Sequence, residues 1–175
     1  MLPQFRYHPD PEQTGSVKKS GKRCVCCDQQ RGYIYAGPAY ARDELTEAIC
    51  PWCIDSGDAS ERYGALFTDD SPLAEAGLTE EVILEVSTRT PGYSSWQDPE
   101  WICHCGDACE FHGDLTPEEA RSPDETALAE LLSTCRIHQD WWGDFVAHYQ
   151  KGGNPAVYKW VCRACLKVIY SIDFT

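Results

Sequence analysis

The sequence predicts a small α+β protein stabilised by zinc, with treble-clef or zinc-ribbon-like knuckles, short β-hairpins and a helical insertion. Three observations lead there. Cysteines stand in spaced pairs, short aromatic and β-branched runs flank those pairs, and capped helical periods fill the chain between them. Cys24/Cys27 and Cys50/Cys53 form C-x2-C, a spacer of 22 residues, then C-x2-C. Two such pairs can set four thiolates at the corners of a tetrahedron, as structural zinc requires. A looser set follows downstream, Cys105 and Cys109, then Cys162 and Cys165. Two structural zinc ions are therefore expected.

Length and charge bound the alternatives. A chain of 175 residues suits one domain, or two small ones sharing a core. The organisation expected is an extended arm over 1–23, an N-terminal four-cysteine zinc finger over 24–66, and a helical segment with a second zinc ribbon over 67–175, completed by the last knuckle. The net charge is −13 and unevenly spread. Residues 1–31 carry six Lys/Arg against three Asp/Glu, and residues 32–175 carry nine against 25. An acidic body repels phosphate backbones, so nucleic acid is a disfavoured partner. It suits solubility or a basic protein partner. The first residues hold no apolar stretch like that of a secretory signal. No apolar run approaches the ~20 residues of a membrane span. Eleven cysteines without such a signal favour metal over disulfides, and the expected location is cytoplasmic.

Each element has its own signal. The arm is rich in proline and glycine, and Phe5 and Tyr7 are spaced for one face of a strand, so part of it is expected to dock. Lys18, Lys19, Lys22 and Arg23 read as a solvated turn. Residues 31–40, rich in tyrosine and closed by Gly37-Pro38, predict a β-hairpin between the two knuckles. Pro51 at a first-turn position allows a short helix over 51–66, weakened by Gly57 and Gly64. Residues 67–78 read as an acidic loop. Thr79 to Val86 predicts a helix with Thr79 as N-cap and Glu80/Glu81 in the first turn, where the helix dipole favours negative charge.

Thr116-Pro-Glu-Glu119 and Ser122-Pro-Asp-Glu125 both fit a capping box with proline at the first helical position. Ala127, Leu128, Leu131, Leu132 and Cys135 fall at helical spacing, so Cys135 is expected in the core. Asp140 is expected to cap a helix holding Trp141, Phe145 and Tyr149, ended by Gly152-Gly153. Residues 156–174 read as strand, knuckle, strand.

The chemistry of the sites admits rivals. Cys26 shares the first knuckle and can substitute for a neighbour. Cys50-Pro-Trp-Cys53 is similar to a glutaredoxin motif, which makes a thiol-dependent redox enzyme the alternative function. The β-α-β surroundings of that fold are missing upstream, and Cys24/Cys27 would be left without a role. At the second site Cys103, His104, Cys105, Cys109 and His112 all compete from spacing alone. His104 and His112 are expected on the surface or behind the ligands. Four thiolates close a zinc shell, whereas catalytic zinc keeps an open position. H-E-x-x-H, a deaminase pattern, G-x-S-x-G and a phosphate-cradling loop are all absent, so no catalytic residue is assigned.

The chain resembles the CbrC family (UPF0167), uncharacterised bacterial proteins linked to colicin tolerance. The resemblance rests on Leu2-Pro-Gln-Phe-Arg-Tyr-His-Pro-Asp-Pro11 with Thr14-Gly15, and on Cys24 and Cys27 followed by Arg31-Gly-Tyr-Ile-Tyr and Gly37-Pro38. It continues through Ile49-Cys-Pro-Trp-Cys-Ile54, Thr90-Pro-Gly-Tyr93 with Trp96, and His104-Cys-Gly-Asp-Ala-Cys109 with Phe111 and Gly113. It ends at Cys162-Arg-Ala-Cys165 and Asp173. The resemblance implies Cys105 and Cys109, rather than Cys103, as ligands of the second site. It also implies glycine after the last knuckle, where this chain has Leu166. It implies no established enzymatic activity. The function expected is a non-enzymatic structural-zinc protein acting through protein contacts, either in bacteriocin (colicin-type) tolerance or immunity against a basic toxin or nuclease, or as a regulatory binder.

Overall fold

In a computed structural model the protein is described over residues 1–97 and 99–174. It is α+β, with short antiparallel strands and, among the described residues, seven helices. Strands β1 (Val17–Lys19) and β2 (Tyr33–Tyr35) pair antiparallel, Val17 opposite Tyr35. The expected hairpin over 31–40 therefore does not form. Its tyrosine run is one strand, and its partner comes from the segment read as an arm. Val17 and Tyr35 thus meet on the buried face.

Helices α1 (Pro51–Asp55) and α2 (Asp58–Tyr63) occupy the stretch expected to hold one weak helix. Gly57 and Gly64 are the reason it divides. Both take positive φ, the left-handed turn that glycine reaches without Cβ strain, so each marks a helix boundary. The acidic loop contains a helix of its own, α3 (Ser71–Glu75), with proline in its first turn. Helix α4 (Glu80–Arg89) begins as expected, with the Thr79 hydroxyl accepting from the Val82 amide at 3.4 Å.

A two-residue hairpin joins β3 (Cys103–His104) to β4 (Asp107–Ala108). Strands β5 (Glu110–Asp114), β6 (Ala156–Val161) and β7 (Val168–Asp173) then form one antiparallel sheet in the order β5-β6-β7. Helices α5 (Pro117–Arg121), α6 (Glu125–Cys135) and α7 (Asp140–His148) are inserted between β5 and β6. Thr116 and Glu119 complete the expected capping box on α5. The second box is displaced. Asp124, not Ser122, caps α6 by accepting from the Ala127 amide at 2.9 Å, and Ser122 ends α5 instead. Asp140 is the first residue of α7 rather than its cap, which is Gln139. Cys135, expected in the core, is exposed on the last turn of α6, past the buried Leu131 and Leu132.

Alternation along β6 divides the sheet's two faces. Tyr158 and Trp160 enter an aromatic cluster with Tyr93, Trp101 and Phe111. Val157 faces the other way, into the layer formed with Leu131, Trp142 and Phe145 of the inserted helices. The arm joins the two cores that carry the cysteine sites. Phe5 packs with Ile49, Ile54 and Phe67, and Tyr7, two residues on, packs with Phe111 and Trp160. His8 is fully buried between the Pro91 carbonyl and the Thr14 hydroxyl, each at 2.7 Å. That burial pushes its pKa down to about 4 and holds it neutral.

Candidate metal centres

The first centre assembles from three local structures. Residues 24–29 fold into a knuckle in which the Cys24 amide donates to the Gln29 carbonyl and the Asp28 amide to the Cys24 carbonyl, at 2.9 and 2.8 Å. The reversal needs a left-handed residue, and Asp28 supplies it at φ 54°. Cys50 caps α1, and Pro51 starts the helix, so Cys53 falls one turn along, on the same side. Strand β2 brings the two pairs together, since the Tyr35 amide donates to the Ile49 carbonyl at 2.8 Å. Helix α2 braces the knuckle from behind, with Arg62 donating to the Cys26 carbonyl and Tyr63 to the Val25 carbonyl.

The four sulfurs of Cys24, Cys27, Cys50 and Cys53 all lie within 4.8 Å of one another. The edges Cys24–Cys53 and Cys27–Cys50 are 3.8 Å, and Cys50–Cys53 is 3.6 Å. A tetrahedron with metal–sulfur bonds of ~2.3 Å has edges of about 3.8 Å. Cys24, Cys50 and Cys53 are at most 2% exposed. The Cys24 thiol is held well below its ordinary range, first because the Cys50 thiol donates to it, and further by backbone amides including that of Cys50 at 3.2 Å. Cys50 is pushed up as that donor, and Cys53 is pushed up by burial. Four adjacent thiols cannot all ionise in a low dielectric without a cation among them, and a divalent ion satisfies all four at once. Cys26 lies beside this set and outside it.

The second centre uses the same clasp. The Cys162 amide donates to the Lys167 carbonyl and the Leu166 amide to the Cys162 carbonyl, both at 2.9 Å. Leu166 takes the left-handed position, at φ 62°. The other half-site is the β3–β4 hairpin. Cys105 and Gly106 form its two-residue turn with φ of 53° and 73°, the positive pair that a type I′ turn demands. His104 Nδ1 lies 3.2 Å from Cys105 Sγ and 3.5 Å from Cys165 Sγ, and those two sulfurs are 3.8 Å apart.

His104, Cys105, Cys162 and Cys165 are the residues that converge here, and Cys109 is not among them. This corrects the expected ligand set. Cys109 lies past β4, away from the hairpin tip, and is fully buried in the aromatic cluster, where burial pushes its thiol up to about 12. Its carbonyl accepts from the Trp101 indole at 2.9 Å, so its role is in the core. Cys103 precedes His104 on β3 and so faces the opposite side, its thiol 3.5 Å from the Trp101 carbonyl. His112 sits on β5 beside Glu110 at 3.3 Å.

Spacing alone did not show what holds this second set together. Asp107 of the hairpin accepts from the Tyr7 hydroxyl at 2.8 Å and pairs with Arg163, inside the knuckle, at 3.5 Å. Arg6 reaches the same carboxylate at 3.6 Å, and the guanidinium groups of Arg6 and Arg163 both stack on the Tyr7 ring. Arg6 and Tyr7 thus tie one half-site to the other. Asp107 was legible only as part of the His104-Cys-Gly-Asp107 run.

A profile of an uncharacterised protein family, UPF0167, matches residues 2–174. The chain belongs to the UPF0167 family. A UPF0167 protein of Pseudomonas aeruginosa is 44% identical over 175 residues, covering 99% of this chain and 98% of that one. UPF0167 proteins of Mycobacterium bovis and Mycobacterium tuberculosis are each 44% identical over 178 residues, covering 99% of this chain and 94% of theirs. No solved structure matches this UPF0167 chain. Among its described residues no helix is long and apolar enough to cross a membrane.

Proposed function

We propose that this UPF0167 protein is a non-enzymatic scaffold carrying two structural zinc ions, which acts through contacts with a basic protein partner. The observation that carries the reading is the pair of four-donor clusters with tetrahedral edges, each complete without a water or substrate position. The first is read as a treble-clef-like finger, a knuckle carried between the paired strands β1 and β2 and followed by the start of a helix. The second is read as a zinc ribbon built from two hairpin tips. Thiolate and imidazole donors at these spacings suit zinc.

The acidic body, nine Lys/Arg against 25 Asp/Glu over residues 32–175, supports a basic partner. A nuclease toxin of the colicin type is the specific case, because an acidic surface would cover its nucleic-acid-binding face. The rival redox pair at Cys50/Cys53 has less support, since both thiols are buried and share their cluster with Cys24 and Cys27.

Metal analysis of tag-free protein, with thiol counts before and after chelation, tests the scaffold. About two zinc ions per chain, with most thiols appearing only on chelation, is expected. A metal-free protein that cycles a Cys50–Cys53 disulfide would overturn it. Calorimetry against a basic nuclease domain tests the partner. Binding that weakens with salt is expected, and no heat at low salt would remove that partner.

A further inference from the structure

The two centres differ in what shields them. In the first, three of the four sulfurs are buried and Cys27 is half-buried. In the second only Cys162 is buried, while Cys105 and Cys165 are exposed and their sulfurs are 3.8 Å apart. The knuckle tip beside Cys165 offers no cover, because Leu166 next to it is itself exposed. Both exposed sulfurs sit at chain reversals whose backbones already adopt left-handed residues, Cys105 itself and Leu166. The hairpin and the knuckle are short loops at strand ends, where small shifts do not disturb the sheet.

We propose that the second centre is an oxidant-sensitive zinc site at which hydrogen peroxide joins Cys105 to Cys165 and expels the metal, while the first centre keeps its own. This rests on the two-zinc reading. In the reaction one thiolate attacks a peroxide oxygen, the O–O bond breaks, and the leaving hydroxide takes a proton to become water. The resulting sulfenic acid is attacked by the second thiolate. An S–S bond forms, and the sulfenic oxygen leaves as hydroxide, which a second proton converts to water. Two electrons pass from the two sulfurs to the peroxide. Zinc, left with His104 and Cys162 only, dissociates. Susceptibility follows exposure and thiolate character, so the buried first centre reacts much more slowly.

The test uses the full chain with its metal. Zinc is counted first, hydrogen peroxide is added, and released zinc is followed with a colorimetric chelator while disulfides are located by peptide mapping. The expected result is about one zinc released of about two, a mass loss of about 2 Da, and a Cys105–Cys165 disulfide. Cys135→Ser removes the one other exposed thiol, and release from it should match that of the unaltered chain. Release of both ions together, of neither, a different disulfide, or dependence on Cys135 would overturn the inference and leave the two-zinc reading standing. Protein that holds no zinc before oxidant would instead overturn that reading, and the inference with it.

Discussion

The knuckles at Cys24–Gln29 and Cys162–Lys167 use the same two backbone hydrogen bonds, within 0.1 Å of each other in length, and both turn through a left-handed residue. Their partners differ. The first knuckle, braced by a second helix, closes onto the buried start of a helix that a tyrosine strand ties in place. The second closes onto a solvent-facing hairpin tip, where a histidine replaces the fourth sulfur. One local clasp therefore serves two environments. The environment, more than the clasp, decides how firmly a metal is held and who can reach it.

The sharpest way to separate the two centres is to break the first. Cys50→Ser removes one ligand and leaves three thiols in a cluster that cannot all ionise together. The expected loss is about one zinc and more than about 4 kcal/mol of stability, because Cys24, Cys50 and Cys53 belong to the N-terminal core itself. Metal analysis with denaturant unfolding checks this. A variant with full metal and unchanged midpoint would mean the cluster is only a packed group of cysteines.

The second comparison sets His104 against Cys109. His104→Ala should lose the second zinc while the first stays bound. Cys109→Ala should keep both and cost about 1 kcal/mol, the size expected for a small buried deletion. The reverse pattern would return Cys109 to the ligand set.

These variants bear directly on what the sequence revealed. Cys24, Cys27, Cys50 and Cys53 were legible because pair spacing is a local property and each pair chelates by itself. The last knuckle, its flanking strands, and the helices after Thr79 and Thr116 were legible for the same reason. The hairpin after the first knuckle was misplaced because Tyr33–Tyr35 marks a strand without saying which segment pairs with it, and Val17–Lys19 is far upstream. Cys109 was expected because the family resemblance implied Cys105 and Cys109, while His104 was read as lying on the surface or behind the ligands. The deciding fact is geometric, since a I′ turn at Cys105-Gly106 places both His104 and Cys105 at the tip. Cys135 fits a helical period and still faces solvent, because the period continues past the point where the neighbouring layer ends.

A smaller effect should separate the clamps. Tyr7→Phe deletes the hydroxyl that donates to Asp107 and leaves the ring under Arg6 and Arg163. A loss of about 1 kcal/mol is expected, with faster zinc exchange at the second centre and none at the first. Competition with a chelator, followed over time, distinguishes the two. Equal acceleration at both centres would show that Tyr7 supports the fold at large and not the second site in particular.

The smallest effect lies in the clasp itself. Leu166 and Asp28 hold equivalent left-handed positions, at φ 62° and 54°. A leucine there costs roughly 1–2 kcal/mol, because its Cβ crowds the next carbonyl. Aspartate tolerates the region better, since its short polar side chain bonds locally. Leu166 is 74% exposed, so removing its side chain gives up little burial. Glycine relieves the crowding and returns part of the gain through a more flexible unfolded chain, about 0.5–1 kcal/mol. Leu166→Gly should therefore stabilise the protein by about 0.5 kcal/mol, and Asp28→Gly should change it by less, with zinc content unaltered in both. Thermal and denaturant midpoints measured side by side decide it. A destabilised Leu166→Gly variant would mean that the exposed leucine does something that backbone comfort does not explain, and contact with a partner at the knuckle tip would be the first place to look.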